Sequence, residues 1–371
     1  MPRPARSFSR PRSSVAALVV ALLAVVALAA CSRRETPPAP AGGAGPTAAG
    51  TPAAELRLGY FPNITHAPAL IGVANGYLQQ ELGQTKLTTQ TFNAGPEEVS
   101  ALLGGSLDAG FIGSGPAINA FSKSNGQAVR LVAGSTSGGA QLVVSPDITS
   151  PEQLKGKVVA TPQAGNTQDI AFKKWLKANN LANGSGPDAV TVQNIDNPRT
   201  LDLFKSGEVA GGWLPEPWSS RLVDAGAKVL VDEKTLWPDG RFPTTVLIVR
   251  TQFLQEHPQT VEALLRAEQK AIDLATSDPA QAKTVTNDAI KAITNSSLQP
   301  AVLDRAFTEL SFGLDPLAAT FPQLAKDSVT AGVAEKETNL AGFVDVTSLN
   351  NVLTAAGKPT VDAAGLDKAQ G

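Results

Sequence analysis

From Glu55 onward, short apolar runs alternate with stripes of apolar residues spaced three and four apart, which predicts strands interleaved with helices. Residues 55–60 read as a strand, followed by the loop Phe61-Pro62-Asn63-Ile64 and a helix from about Thr65. Leu70, Ile71, Ala74, Tyr77 and Leu78 keep helical spacing, and Gly76 suits a left-handed cap near the end of that helix. A second strand over 86–92 leads to Pro96, which fits the first turn of a helix carrying Val99, Leu102 and Leu103. A third strand, 107–112, runs into Gly113-Ser114-Gly115-Pro116 and another helix. This order predicts an α/β unit with a mostly parallel, doubly wound sheet.

The order then recurs. Shifted by 102 positions, residues 56–117 lie over 158–219 without a gap. Thr65 falls on Thr167, Pro96 on Pro198, Gly105 on Gly207, Gly110 on Gly212, Phe111 on Trp213 and Ser114 on Glu216. Two βαβαβ units predict two lobes, and ligands of open parallel sheets bind beyond the carboxyl ends of the strands. Residues 141–145 and the β-branched run 244–250 would carry the chain across and back. After them comes a helical region, in which His257-Pro258 opens a helix with Val261, Leu264, Leu265 and Ile272 on one face. The expected lobes are 55–141 plus 246–350, a discontinuous lobe, and 142–245. Residues 351–371 are expected to be a loose tail.

The N-terminal segment has a different character. Arg3, Arg6, Arg10 and Arg12 precede an uninterrupted apolar run over 15–30, with no acidic residue among them. A charged head, an apolar core and small residues at the end mark a secretory signal, here 1–30. The run is short for a membrane span, which takes about twenty residues. Leu28-Ala29-Ala30-Cys31 resembles a bacterial lipobox, which implies that Cys31, the only cysteine, is lipidated and begins the mature chain. Residues 31–54 are rich in Pro, Gly, Ala and Thr and read as a disordered tether. Removing the signal takes away four arginines and no acid, leaving 27 basic residues against 33 acidic ones, so the formal charge moves from −2 to about −6. An acidic chain with no basic run gives nucleic-acid binding no support. With Cys31 acylated, no thiol remains for disulfides, metal or catalysis.

Candidate chemistry gathers at the strand-to-helix turns. Asn166-Thr167-Gln168-Asp169 precedes the stripe Ile170, Phe172, Trp175 and Leu176. Asn166 suits a plain N-cap, yet a helix start also carries about half a positive charge and open amides that receive oxyanions. Thr65 and His66 would face it from the other lobe. Ser114 follows its glycine directly, so its turn is not a nucleophile elbow, but its place at a strand end makes it a candidate donor. Ser135-Thr136-Ser137-Gly138-Gly139 is small and polar and lacks the Lys-Ser pair of a phosphate loop. In Trp213-Leu214-Pro215-Glu216-Pro217-Trp218, two prolines stiffen the chain around one carboxylate; Trp213 suits the core, while Glu216 and Trp218 are assigned to the cleft. The two histidines, His66 and His257, form no metal-binding pair, and no catalytic residue, metal ligand or cofactor is assigned.

In order, Gly59-Tyr60-Phe61-Pro62-Asn63, Thr65-His66-Ala67-Pro68, the run from Gly105 through Asp108 and Gly113 to Pro116, Leu154-Lys155-Gly156-Lys157, Glu216-Pro217-Trp218 and Phe343-Val344-Asp345 are similar to segments of one family. They resemble the solute-binding lipoproteins of ABC importers, of the nitrate/sulfonate/taurine/bicarbonate type. The resemblance implies the periplasmic binding protein type 2 fold: two α/β lobes joined by two crossover strands and closing on one small molecule. It implies a small anionic solute (an aliphatic sulfonate, taurine or a nitrate-like ion), a monomer, a permease with its ATPase as partners, and a lipid anchor on the extracytoplasmic face of the cell membrane. Carried onto this chain, the ligand site comprises Tyr60, Phe61, Asn63, Thr65, His66, Ser114, Gly115, Ser137, Gly138, Asn166, Thr167, Gln168, Glu216 and Trp218. Asn166-Thr167-Gln168 stands where a Ser-Thr pair is common in the group. Two other readings stay open: an enzyme or binder of the same fold acting on a pyrimidine of the thiamine-precursor kind, and a surface ligand sensor.

Overall fold

The structure, a computed structural model, describes residues 50–368. The signal, Cys31 and most of the tether lie outside the described residues. The chain enters through β1 (Glu55–Tyr60), β2 (Lys86–Thr91), β3 (Ala109–Ile112) and β4 (Val129–Gly138). It continues through β5 (Ala140–Val144), β6 (Val158–Thr161), β7 (Ala182–Asn183), β8 (Ala189–Asn194), β9 (Gly211–Pro215) and β10 (Lys228–Asp232), then returns through β11 (Pro243–Arg250) and β12 (Leu310–Phe312). Two six-stranded sheets result, ordered β12-β4-β11-β3-β1-β2 and β10-β5-β9-β6-β8-β7. Each sheet with the helices packed on it forms a lobe.

Parallel pairing joins β2, β1 and β3 in the first sheet and β7, β8, β6 and β9 in the second. The remaining pairings are antiparallel, so the second sheet is mostly parallel, with three parallel pairs of five, and the first is mixed, with two of five. Geometry accounts for the antiparallel strands. The carboxyl ends of the parallel strands in the two lobes face each other. A strand leaving one lobe at that edge therefore enters the other at the same edge, running against its parallel strands. β5 does so beside β9, and β11 does so beside β3.

The repeat survives in detail at its punctuation. Gly105 and Gly207 both take left-handed backbone, with φ of 75° and 79°. Pro96 and Pro198 each occupy the first turn of the helices Gly95–Leu103 and Asn197–Ser206. The gapless shift does not hold throughout. Leu56 faces Leu87, whose counterpart is Ala189, but Val158 faces Thr191, so the second unit gains two residues between its first two pairing strands.

Three local expectations change. The single helix after Thr65 is two helices, Ala67–Ala74 and Tyr77–Leu82, because Gly76 takes φ 71° and ends the first before the second begins. The end of the expected tether is packed: Ala53 is buried, its amide donates to Thr260 Oγ1 at 2.9 Å and its carbonyl accepts from Thr85. The expected loose tail is docked as far as it is described. The helix Thr347–Ala355 buries Leu349, Val352 and Leu353; Val344 N–H donates to the Leu366 carbonyl, and Ala363 is buried against the first-lobe core. Ala363 joins the first-lobe core and Leu366 packs partly buried against it, which the alanine-rich composition alone does not reveal.

The first-lobe core is continuous and takes in the amphipathic helix Pro258–Ser277, which buries Val261, Leu264, Leu265 and Ile272. The second lobe is built around Phe172, Trp175 and Trp213, whose rings lie 5.9 to 6.2 Å apart. In the first sheet, Glu98 packs across Gly59 and Gly110; a Cβ on either glycine would come within 2.3 Å of its carboxylate. Burial holds that carboxyl well above the usual carboxylate range, disfavouring its charged form.

Asn350 ties the terminal segment down with two bonds, Nδ2 to the Val361 carbonyl at 3.1 Å and Oδ1 from the Val361 amide at 2.9 Å. Asn350→Ala should cost about 1–3 kcal/mol, read as a lower urea midpoint with unchanged slope. An unchanged midpoint would mean that the terminal segment adds nothing to the fold.

Candidate functional site

The lobes meet where two helix starts abut. The helices Ser114–Lys123 and Thr167–Ala178 begin at the carboxyl ends of β3 and β6, one in each lobe. Gly115 N–H donates across the gap to Thr167 Oγ1 at 3.2 Å. A Cβ at Gly113 would lie 2.5 Å from that same hydroxyl, and one at Gly115 would lie 3.0 Å from Ile170 Cδ1. Glycine is required here because the other lobe occupies the space of a side chain.

The second-lobe helix is held by Asp169 rather than by Asn166, whose side chain makes no cap bond. The buried Asp169 carboxylate accepts from Thr161 Oγ1, Gly165 N–H, Asn194 Nδ2 and Lys173 Nζ at 2.7 to 2.9 Å. That network fixes the loop before the helix and leaves its first amides with no intrahelical acceptor.

Beside these amides lies a small cavity of about 20 Å³, with room for about one water. Asn63, Thr65 and His66 wall it from the first lobe, and Asn166, Thr167 and Gln168 from the second. Every residue in its wall is neutral. His66 carries no charge there, because burial pulls its imidazole down to about 3, and Nδ1 accepts from Phe61 N–H at 3.3 Å. The oxygens Asn63 Oδ1, Asn197 Oδ1 and Thr245 Oγ1 are buried without a hydrogen-bond partner among the described residues. Of these only the Thr245 hydroxyl can donate, the two amide oxygens being acceptors; the anion-attracting element of this neutral pocket is the helix start with its open amides. An outer chamber of about 320 Å³ adjoins the cavity, sharing Phe61, Asn63, Asn93 and Asn197 with it and reaching Trp218.

Several residues assigned from the sequence are placed elsewhere. Glu216 does not line either space. Its fully buried carboxylate accepts from Arg305 at 3.0 Å and from Ser220 N–H at 3.2 Å, and burial raises it above the usual range in spite of the arginine. Arg305 also donates to Ser220 Oγ and Gln141 Oε1, so this cluster clasps the first lobe to the second. Ser137 and Gly138 belong to the crossover. Ser137 Oγ accepts from Phe242 N–H at 3.2 Å, and the Gly138 carbonyl accepts from the Thr244 hydroxyl. Tyr60 is buried and lines neither space, and burial raises its phenol. Ser114 lies behind Gly113, fully buried, its hydroxyl unpartnered among the described residues. Gly115 meets Thr167 rather than the cavity.

Sequence reasoning missed Asn93, Asn197, Thr244 and Thr245 in the walls, and Arg221 beside Trp218 in the outer chamber. Thr244 and Thr245 were visible as the polar opening of the crossover strand, and Arg221 lies one helical turn after Trp218. The asparagines carried no spacing signal. Among the described residues no group of His, Cys, Asp and Glu gathers as a metal site, and no helix is long and apolar enough to cross a membrane.

The NMT1-like family model matches residues 49–289. The taurine-binding periplasmic protein of Escherichia coli (strain K12) is 29% identical over 203 residues, covering 54% of this chain and 60% of that protein. The chain thus spans about 60% of the length of the curated relatives it matches first. Among solved structures, the periplasmic aliphatic sulphonate binding protein SsuA from Escherichia coli superposes with a TM-score of 0.62 at 19% identity, over 80% of this chain and 91% of that one. The periplasmic nitrate-binding protein NrtA from Synechocystis PCC 6803 gives 0.67 at 16% identity, over 83% and 90%. These similarities establish the two-lobed periplasmic binding protein architecture of the chain.

Two measurements probe this geometry. Gly113→Ala should wedge the lobes apart and increase the radius of gyration in X-ray scattering, and adding Thr167→Ala should reverse the change; an unaltered radius would rule out the tight meeting of helix starts. His66 has a folded value of about 3 against 6.5 for the free group, so the unfolded chain takes up the proton first. Its contribution is complete above about pH 6.5 and is lost as pH falls toward 3. Wild type should therefore lose about 3 kcal/mol more than His66→Gln between pH 7 and pH 4, measured by urea unfolding, and parallel losses would mean that the ring is accessible to protons.

Proposed function

The chain belongs to the NMT1-like family, and on that premise we propose that it is the extracytoplasmic solute-binding component of an ABC importer. It captures a small organic or inorganic oxyanion between its lobes. The observation that carries this reading is the neutral, polar cavity at the start of the Thr167–Ala178 helix, walled from both lobes and free of carboxylates. The names of the sulfonate-, taurine- and nitrate-binding proteins to which the chain is similar support the same class of ligand, and binding rather than catalysis.

In this reading residues 55–141 plus 246–350 and residues 142–245 move as two bodies about β4–β5 and β11. With the helix starts abutting, the cavity is too small for an oxyanion of four or more heavy atoms, so the lobes part to admit it and close again on the ligand, less tightly than on the empty cavity, with the ligand bridging them. A ligand that contacts both lobes shifts the population toward the closed state by its differential affinity for it. The N-terminal 1–30 signal and acylated Cys31 would hold the protein at the outer face of the cell membrane, as a monomer, where the closed form meets a permease driven by its ATPase.

The test is thermal unfolding of the chain against alkanesulfonates, taurine, nitrate, bicarbonate and pyrimidine controls. A ligand at 100 times its Kd stabilises the folded state by about 2.7 kcal/mol, a readily measured rise in Tm. A rise with oxyanions, lost in Thr167→Ala combined with Asn63→Ala, is the expected outcome. A rise with the pyrimidines alone would overturn the assignment.

A further inference from the structure

The outer chamber, at about 320 Å³, has the size of a small-molecule site, whereas the deep cavity does not. Its walls come from both lobes and are largely apolar, with Phe61, Phe92 and Leu298 from the first lobe and Pro217 and Trp218 from the second. The one charged side chain in that wall is Arg221. Its guanidinium lies over the Trp218 ring, 4.5 Å from the centroid. Stacking sets the plane of the fork and leaves its edge donors available.

No carboxylate lines the chamber, and none among the described residues lies within ion-pair distance of Arg221. The carboxylate nearest along the chain, Asp224, stands one helical turn on from Arg221 and forms no ion pair with it, and Glu216 is consumed by Arg305. Burial pulls the Arg221 guanidinium below the usual arginine value, the mark of a cation that has lost water without gaining a counter-ion. The cavity at one end of this space offers the open amides of a helix start, and the other end offers a planar cation above an indole.

We propose that the outer chamber is a second subsite of the same cleft, taking the ring-bearing body of a doubly anionic organic solute whose distal carboxylate or sulfonate is received by Arg221. The inference rests on the oxyanion-binding role proposed for the deep cavity and narrows its substrate class. Arg221 grips the distal group through two parallel N–H···O bonds, and Trp218 and Phe92 hold the ring between them. A short zwitterion is disfavoured, since its ammonium group would meet a guanidinium and no carboxylate.

The decisive experiment is calorimetric titration of the full chain with benzenesulfonate, para-sulfobenzoate and taurine. In wild type, para-sulfobenzoate should bind at least about tenfold tighter than benzenesulfonate, a difference of about 1.4 kcal/mol, with taurine weakest. In Arg221→Gln that gap should fall below about twofold, and Arg221→Lys, which keeps the charge but not the fork, should keep part of it. Circular dichroism and Tm check that each variant folds. Equal affinities in wild type, or a gap that persists in Arg221→Gln, would overturn the subsite while benzenesulfonate binding leaves the cleft reading standing. Failure of every sulfonate to bind would remove both.

Discussion

The two strands that cross between the sheets impose the constraint on which the rest of the molecule depends. Because the parallel strands of both lobes point their carboxyl ends at the same gap, the chain passes between lobes only at that edge. β4 leads into β5 through Gly138 and Gly139, both with left-handed backbone at φ 83° and 68°. β11 returns with Thr244 bonded to the Gly138 carbonyl. The crossing places the helix starts of both lobes face to face and puts the crossover hydroxyls at the back of the cavity between them.

A gap lined by helix starts has a fixed electrostatic character. The amides at the head of the Thr167–Ala178 helix supply positive potential, and Asp169, whose charge would weaken it, is turned inward and covered by four donors. Charged pairs that join the lobes lie away from this cavity. Arg305 holds Glu216, Ser220 and Gln141 on one side, and Lys174 reaches Asp327 at 3.1 Å on the other. The site stays neutral, joined across by the Gly115–Thr167 hydrogen bond, while the ionic contacts between the lobes lie away from it. In the proposed function this separation matters: the ligand competes with no resident carboxylate, and the clasp supplies an interlobe contact independent of it.

Much of the order of elements was legible, and for a local reason. Strand and helix periodicities, first-turn prolines and left-handed glycines depend on neighbours a few residues away, so Pro96, Pro198, Gly105 and Gly207 marked their elements correctly. The cavity was half legible: Asn63, Thr65, His66, Asn166, Thr167 and Gln168 stand at strand ends where a parallel sheet puts ligands. Glu216 was misassigned because the repeat placed it opposite Ser114, and nothing in the local sequence revealed that Arg305, 89 residues later, would take its charge. The same blindness hid Asn93, Asn197 and Arg221, whose positions acquire meaning only from the wall that faces them.

By itself, then, the sequence determined the alternation of strands and helices, the two related units and the polar turns at which chemistry collects, because each is encoded over a span of three to four residues or in a recurring order. Tertiary structure alone decided which polar groups remain free. Glu216 is neutralised by a helix from the other lobe, the residues after Ala355 are docked by Asn350 and the first-lobe core, and Arg221 keeps its charge unanswered beside Trp218. Each outcome depends on distances between residues far apart in the chain, and burial and pairing across such distances decide whether a charge is spent on the fold or left for a ligand.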